Sequence, residues 1–398
     1  MLYSTPPFEP TIKLEPFKVS IPDKDIEELK TFIKYTRIPK ETFENIDGLK
    51  KGFGVDKKWV EETKEYWLNQ YDWRKNESRI NSQPAFTTTI KNKDGLEYTI
   101  HFAALFSENK NAIPIILSHG WPGAFIEFLS LMELVRKQYK PDELPYHLIF
   151  PSTSGFLFSS SPPLDREFSL DNVGYLYDQL MKGLGFGDGY IAQGGDIGSH
   201  ITNELGYGHK ACKAIHLNMR AFSLPPAGTP EASKPHGLEE FIESNQPFGY
   251  NLEHATRPST IGLVVGSSPI SLLCWIGEKF LTWSDQDPSL ETILTFINLY
   301  WFTDTFPSSI WRYRYGKGPL RHIKSAEDEY MSKPTGYSYF PKEITPVPVH
   351  WVEKVANLVW SREHESGGHF AALEKPEILW ADVEDFVKQV WPTVSSKE

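Results

Sequence analysis

The sequence predicts an α/β fold built on a mostly parallel sheet, and three observations carry that reading. Short apolar runs, Ile113 to Ser118, His147 to Pro151 and Tyr190 to Gly194, read as strands buried on both faces. Helical stretches from Phe125 to about Lys137 and from Asp171 to Leu184 separate them, which gives βαβαβ order. The run Tyr190-Ile191-Ala192-Gln193-Gly194-Gly195-Asp196-Ile197-Gly198-Ser199 then passes from strand to helix through a tight turn centred on Asp196.

From the N-terminus, Ser20-Ile21-Pro22-Asp23 opens a helix with Ile26, Leu29, Phe32 and Ile33 on one face. A second helix is expected over Lys58 to Tyr71, with Trp59, Tyr66 and Trp67 as core residues, ending near Tyr71-Asp72-Trp73-Arg74. Thr87 to Ile90 and Tyr98 to Phe102 flank the turn Asn92-Lys93-Asp94-Gly95 and lead antiparallel into the sheet. After the parallel alternation, a helix over 197–206 and a strand from Ala214 to Asn218 continue it, until Leu224-Pro225-Pro226-Ala227-Gly228 breaks the pattern. Beyond lie aromatic-rich loops and helices, including Ile270 to Ser284 and Leu290 to Thr303. Strand character returns at Tyr337 to Phe340 and Asn357 to Trp360, and a last helix runs from Trp380 to Trp391. The expected division is an N-terminal helical segment (1–86), a first part of the core (87–224), a helical lid (225–333) and a second part of the core (334–398). A lid inserted before the sheet is complete sits over the strand ends, where open α/β sheets bind ligands.

Length and composition narrow the partners. At 398 residues the chain can bury a large core. Its 12 Trp, 18 Tyr and 25 Phe are enough to line a cavity with rings. A formal net charge of -11 argues against nucleic acid or an anionic membrane and for a small uncharged substrate. Cys212 and Cys274 show no metal-ligand spacing and are too few for a disulfide framework, so a cytoplasmic protein is expected. The start, Met1 to Pro10, lacks a signal-peptide layout, and no run of about 18 apolar residues occurs, so no membrane anchor is expected.

At the turn, Gly194 and Gly198 stand at the offsets where a side chain would collide. The nucleophile position holds Asp196, a carboxylate that is ionised at neutral pH and needs no base before it attacks saturated carbon. In an α/β-hydrolase fold the partners follow in the order nucleophile, acid, histidine. His369, on the Gly-rich loop Glu365-Ser366-Gly367-Gly368-His369-Phe370, is the candidate base. Glu343, in Phe340-Pro341-Lys342-Glu343-Ile344, occupies the loop expected for the orienting acid, ahead of Glu353, Glu363, Glu365 and Asp304. His119-Gly120-Trp121-Pro122 follows its strand where an oxyanion hole belongs, with the N–H groups of Trp121 and Ile197 as donors. A leaving oxygen would need a proton donor, and tyrosine suits that task, but spacing does not select one from the insertion.

Taken together, the Gly-Gly-Asp-Ile-Gly turn, the His-Gly-Trp-Pro loop, the Gly-Gly-His-Phe end and the N-terminal Tyr71-Asp72-Trp73-Arg74 with Asn81-Ser82-Gln83-Pro84-Ala85-Phe86 form a specific set. That set resembles the microsomal-type epoxide hydrolases, most closely their soluble fungal members, over nearly the whole chain. The resemblance implies Asp196 as nucleophile, His369 as water-activating base and Glu343 as its acid. It also implies two lid tyrosines, Tyr250 in Gly249-Tyr250-Asn251-Leu252 and Tyr313 in Trp311-Arg312-Tyr313-Arg314, with Tyr315 as the alternative to Tyr313. The fold implied is an α/β-hydrolase with a helical lid and an N-terminal meander that wraps it. The reaction implied is hydrolysis of a small-molecule epoxide to a diol with no cofactor and no metal, and some fungal members form dimers. A haloalkane dehalogenase would use the same Asp and His, but in that family an indole beside the nucleophile helps solvate the halide, where this chain has Ile197. A non-catalytic receptor for a small apolar ligand would have no need of nucleophile, acid and histidine together.

Overall fold

The computed structural model describes residues 2–220, 229, 249–314 and 330–395. Nine strands among them form one sheet: β1 (Glu15–Phe17), β2 (Ala85–Lys91), β3 (Glu97–Leu105), β4 (Ile113–Ser118), β5 (Tyr146–Pro151), β6 (Tyr190–Gly194), β7 (Cys212–Leu217), β8 (Met331–Tyr339) and β9 (Ala356–Glu363). Their spatial order is β1-β2-β3-β5-β4-β6-β7-β8-β9. The first four in that order pair antiparallel, and from β5 to β9 every pairing is parallel. β5 and β6 are buried at every residue, and β4 at all but Ile113, which is why they read as continuous apolar runs.

Two register pairs place the loops that matter. Ser118 pairs with Gly194 at the ends of β4 and β6, so the His119 and Asp196 loops leave the sheet side by side. An isolated parallel bridge between Lys342 and Gly368 joins the loops after β8 and β9 in the same way. The chain's two sequence-distant pairs of loops thus meet at the carboxyl ends of the strands.

Between β7 and β8 the described chain is helical: Gly249–Thr256, Pro258–Gly266, Pro269–Trp283, Leu290–Thr303, Phe306–Ser309 and Trp311–Arg314. The Pro269–Trp283 helix is opened by Ser268, which accepts from Ser271 N, with proline in its first turn. The N-terminal helices pack on this insertion. Tyr66 Oη and Asn76 Nδ2 donate to the two oxygens of Glu291 at 3.0 and 2.7 Å, and Phe32 and Trp73 meet Trp301 and Phe302 edge-on. No single described helix is long and apolar enough to cross a membrane; Pro258–Gly266 and Pro269–Trp283 reach that length only together, across a 114° bend.

Several elements differ from the sequence expectation. β1 escaped notice because it is three residues long with Pro16 at its centre, tolerable only on a sheet edge. The Lys57–Asn69 helix stops before Trp73, which begins a separate helix, Trp73–Ile80, capped by Asp72 through Lys75 N at 3.3 Å. The helix expected from Phe125 opens as a 3-10 turn, Phe125–Phe128, before Leu129–Gln138. β2 starts at Ala85 and β8 at Met331, so the divisions drawn at 86 and 333 fall within strands.

Candidate active site

Asp196 is the first residue of the Asp196–Gly208 helix and has a φ of 48°, a left-handed conformation unusual for a residue with a side chain. The surrounding glycines make that turn compact: a Cβ at Gly194 would overlap the Gly198 carbonyl, and one at Gly198 would overlap the Ser118 carbonyl. Gly120 serves the side chain itself, since a Cβ there would overlap Asp196 Oδ1. In that space Trp121 N donates to Oδ1 at 2.7 Å, and the Ile197 amide also hydrogen-bonds the carboxylate. The Trp121 loop is fixed by His119, whose Nε2 accepts from Thr153 N at 3.1 Å; the proton is therefore on Nδ1, which donates to Gly120 O at 3.0 Å. Burial pulls the His119 pKa down to about 4, so the ring is neutral.

His369 Nε2 lies 3.4 Å from Asp196 Oδ2, and its Nδ1 lies 2.6 Å from Glu343 Oε1. Glu343, 5% exposed, is held by Ile344 N at 2.6 Å. Glu353, Glu363, Glu365 and Asp304 are exposed and take no part in this cluster. The insertion clamps the histidine loop: His369 N donates to Trp283 O at 2.9 Å, Gly367 N donates to Asp285 Oδ2 at 2.9 Å, and the Trp283 ring meets the imidazole edge-on. Sequence reasoning missed Trp283 and Asp285, because backbone acceptors and loop clamps leave no periodic signal.

Burial alone would raise the Asp196 pKa, but the His369 hydrogen bond and charge and the Ile197 and Trp121 amides outweigh it and hold it below the usual carboxylate value. Burial alone would lower the His369 pKa; the Glu343 and Asp196 carboxylates reverse this and hold it well above the usual value. Both directions favour an ionised carboxylate beside an imidazolium.

Tyr250 and Tyr313 come together over this pair. Both are buried, their rings lie 5.8 Å apart, and their hydroxyls share a hydrogen bond. The Trp121 indole stacks on Tyr250 at 5.5 Å and meets Tyr313 edge-on at 5.8 Å, so one residue supports the rings and presents its amide to Asp196. Burial raises both phenol pKa values, and the Asp196 charge adds to this, so both phenols keep their protons. His254 and Lys279, unremarked in the sequence, complete the aromatic cluster: Lys279 Nζ lies 4.9 Å over the Tyr250 ring. Tyr315 lies outside the described residues.

The sheet order, the turn after β6 and the helical insertion before β8 make this an α/β-hydrolase fold. A family model described as the epoxide hydrolase N terminus matches residues 14–128. The structure of Aspergillus niger epoxide hydrolase superposes with a TM-score of 0.90 and 46% identity, covering 98% of this chain and 100% of that one. A Dothistroma septosporum protein provisionally named an epoxide hydrolase is 41% identical over 97% of this chain and 92% of its own length. Juvenile hormone epoxide hydrolase from the silkworm Bombyx mori superposes with a TM-score of 0.82 at 26% identity, with 96% of each chain covered. The chain belongs to the epoxide hydrolase family. It is a hydrolase.

Proposed function

We propose that the protein converts an epoxide and water to a vicinal diol through a covalent ester on Asp196. One observation carries this reading: the two carboxylate oxygens of Asp196 have different surroundings. Oδ1 receives the Trp121 amide at 2.7 Å, while Oδ2 faces His369. In the first step Oδ2 bonds to an epoxide carbon as the C–O ring bond breaks, and Tyr250 and Tyr313 pass a proton to the departing alkoxide. The buried phenols suit this task because they hold their protons until a much stronger base than water is generated beside them.

Esterification removes the Asp196 charge, one of the two carboxylates that keep His369 protonated. The His369 pKa then falls, its extra proton passes to the tyrosinate left by the first step, and the neutral ring can act as a base for the second step. It draws a proton from water that attacks Asp196 Cγ, while Glu343 holds the ring by Nδ1 and stabilises the imidazolium that re-forms. Oδ1 becomes the oxyanion, already beside the Trp121 and Ile197 amides. Collapse of the adduct breaks the Cγ–O bond to substrate, and the alkoxide takes the proton from His369.

In this reading the described helices from Gly249 to Arg314 form a lid over the strand ends, and residues 2–86 wrap it, supported by the contacts of Tyr66, Asn76 and Trp73 with the Leu290–Thr303 helix. Ile197 beside the nucleophile gives no indole for a halide, which disfavours dehalogenation. Mass spectrometry of enzyme quenched during turnover tests the function. The peptide carrying Asp196 should gain the mass of one substrate, and an adduct on any other side chain, or none under conditions that trap a slow variant, counts against it.

A further inference from the structure

The cavity beside Asp196 is lined by a second carboxyl. Glu127 lies on the 3-10 turn Phe125–Phe128, just past the Trp121 loop, and lines the same cavity as Asp196, His369, Trp121 and Gln193. The free space for a water centre there is about 10 Å³, room for a single molecule. Gly123 makes way for this side chain, since a Cβ at that position would overlap Glu127 Oε2, as one at Gly120 would overlap Asp196 Oδ1. Each glycine of the loop therefore admits one carboxyl to the cavity.

Nothing in the scaffold accounts for Glu127. Among the described residues none hydrogen-bonds or ion-pairs with its carboxyl. Glu127 is only half-buried, and a cavity-lining carboxyl without a protein partner is left to whatever occupies that cavity. Loss of hydration in the cavity pushes its pKa up to about 8, with His369 opposing and the Asp196, Glu374 and Glu343 charges reinforcing, which favours the uncharged acid at neutral pH. In that form its carbonyl oxygen is an acceptor lining the one-water space that Asp196 and His369 also line.

We propose that Glu127 is a catalytic residue of ester hydrolysis, binding the attacking water jointly with His369 and orienting its lone pair toward Asp196 Cγ. The assignment rests on the reading of Asp196 and His369 given above. One O–H bond of the water breaks, its proton passing to His369 Nε2 and later to the leaving alkoxide. The oxygen bonds to Cγ and keeps its second hydrogen, hydrogen-bonded to the acceptor oxygen of Glu127, until collapse leaves Asp196 as a carboxylic acid that gives this proton up. That last proton passes to His369 and restores the carboxylate–imidazolium pair, so the cycle closes.

The test separates the two half-reactions by single-turnover rapid quench. Glu127→Met, which keeps the length of the side chain but lacks an acceptor, should alkylate Asp196 within about threefold of the parent rate and hydrolyse the ester at least about tenfold more slowly. Glu127→Leu, a second acceptor-free variant, should show the same split. Glu127→Gln, which keeps a carbonyl oxygen, should fall between Glu127→Met and the parent. Unchanged hydrolysis in the acceptor-free variants, equal loss in both steps, or a Glu127→Gln as slow as Glu127→Met would overturn the proposal. If the parent enzyme forms no ester at Asp196, the covalent route itself falls and this assignment falls with it.

Discussion

Glu343 Oε1 lies 2.6 Å from His369 Nδ1, and the Lys342–Gly368 bridge brings the two loops together one residue away from each. In the proposed mechanism Glu343 serves His369 and not Asp196, so its loss should be felt in one half-reaction. Glu343→Gln should slow ester hydrolysis by about a hundredfold and leave alkylation much less affected, so that alkyl-enzyme accumulates. Rapid quench measures both rates; unchanged turnover without accumulation would remove Glu343 from the site.

The same pair sets a pH dependence. Burial works against the charge on His369, and the Glu343 and Asp196 carboxylates favour it strongly enough to leave its pKa raised. Hydrolysis needs the neutral ring, so its rate should rise with pH through the His369 pKa of the ester form. Glu343→Gln removes a cause that raises that pKa, and the acid limb should therefore move to lower pH even as the plateau falls. A limb that stays in place, measured by single-turnover hydrolysis across pH, would show that another group titrates there.

Tyr250 and Tyr313 share one hydrogen bond and one supporting ring, Trp121. Tyr250→Phe and Tyr313→Phe should each lower the alkylation rate by about tenfold or more and weaken epoxide binding. The double variant should depart from the product of the two effects, since each hydroxyl orients the other. Parent-like alkylation in both single variants would pass the donor role to a different group, with Tyr315 the first to examine.

What the sequence made legible follows from where its constraints are local. β4, β5 and β6 were readable because nearly every residue in them is buried, and the turn at Asp196 because its glycines sit at fixed offsets from the acid. Glu343 and His369 were read from chain order on the sheet, and the structure places them 2.6 Å apart. Nothing local distinguished Tyr250 and Tyr313: they are selected by stacking on Trp121 across the insertion, and only a resemblance to known proteins pointed to them. Glu127 and Trp283 were invisible for a related reason. Glu127 depends on the gap left by Gly123 in the loop before it, and Trp283 acts through its carbonyl on a residue far along the chain.

The central claim is that Asp196 is a nucleophile and not a base that activates water, and the origin of the diol oxygen decides it. With enzyme in excess over epoxide in heavy-oxygen water, the first diol should take its new oxygen from the Asp196 carboxylate, since water attacks Cγ and not the substrate carbon. A single turnover should therefore give mostly unlabelled diol and place the label in the peptide carrying Asp196, with labelled diol appearing only over many turnovers. Diol labelled from the first turnover, with the Asp196 peptide left light, would contradict the covalent route.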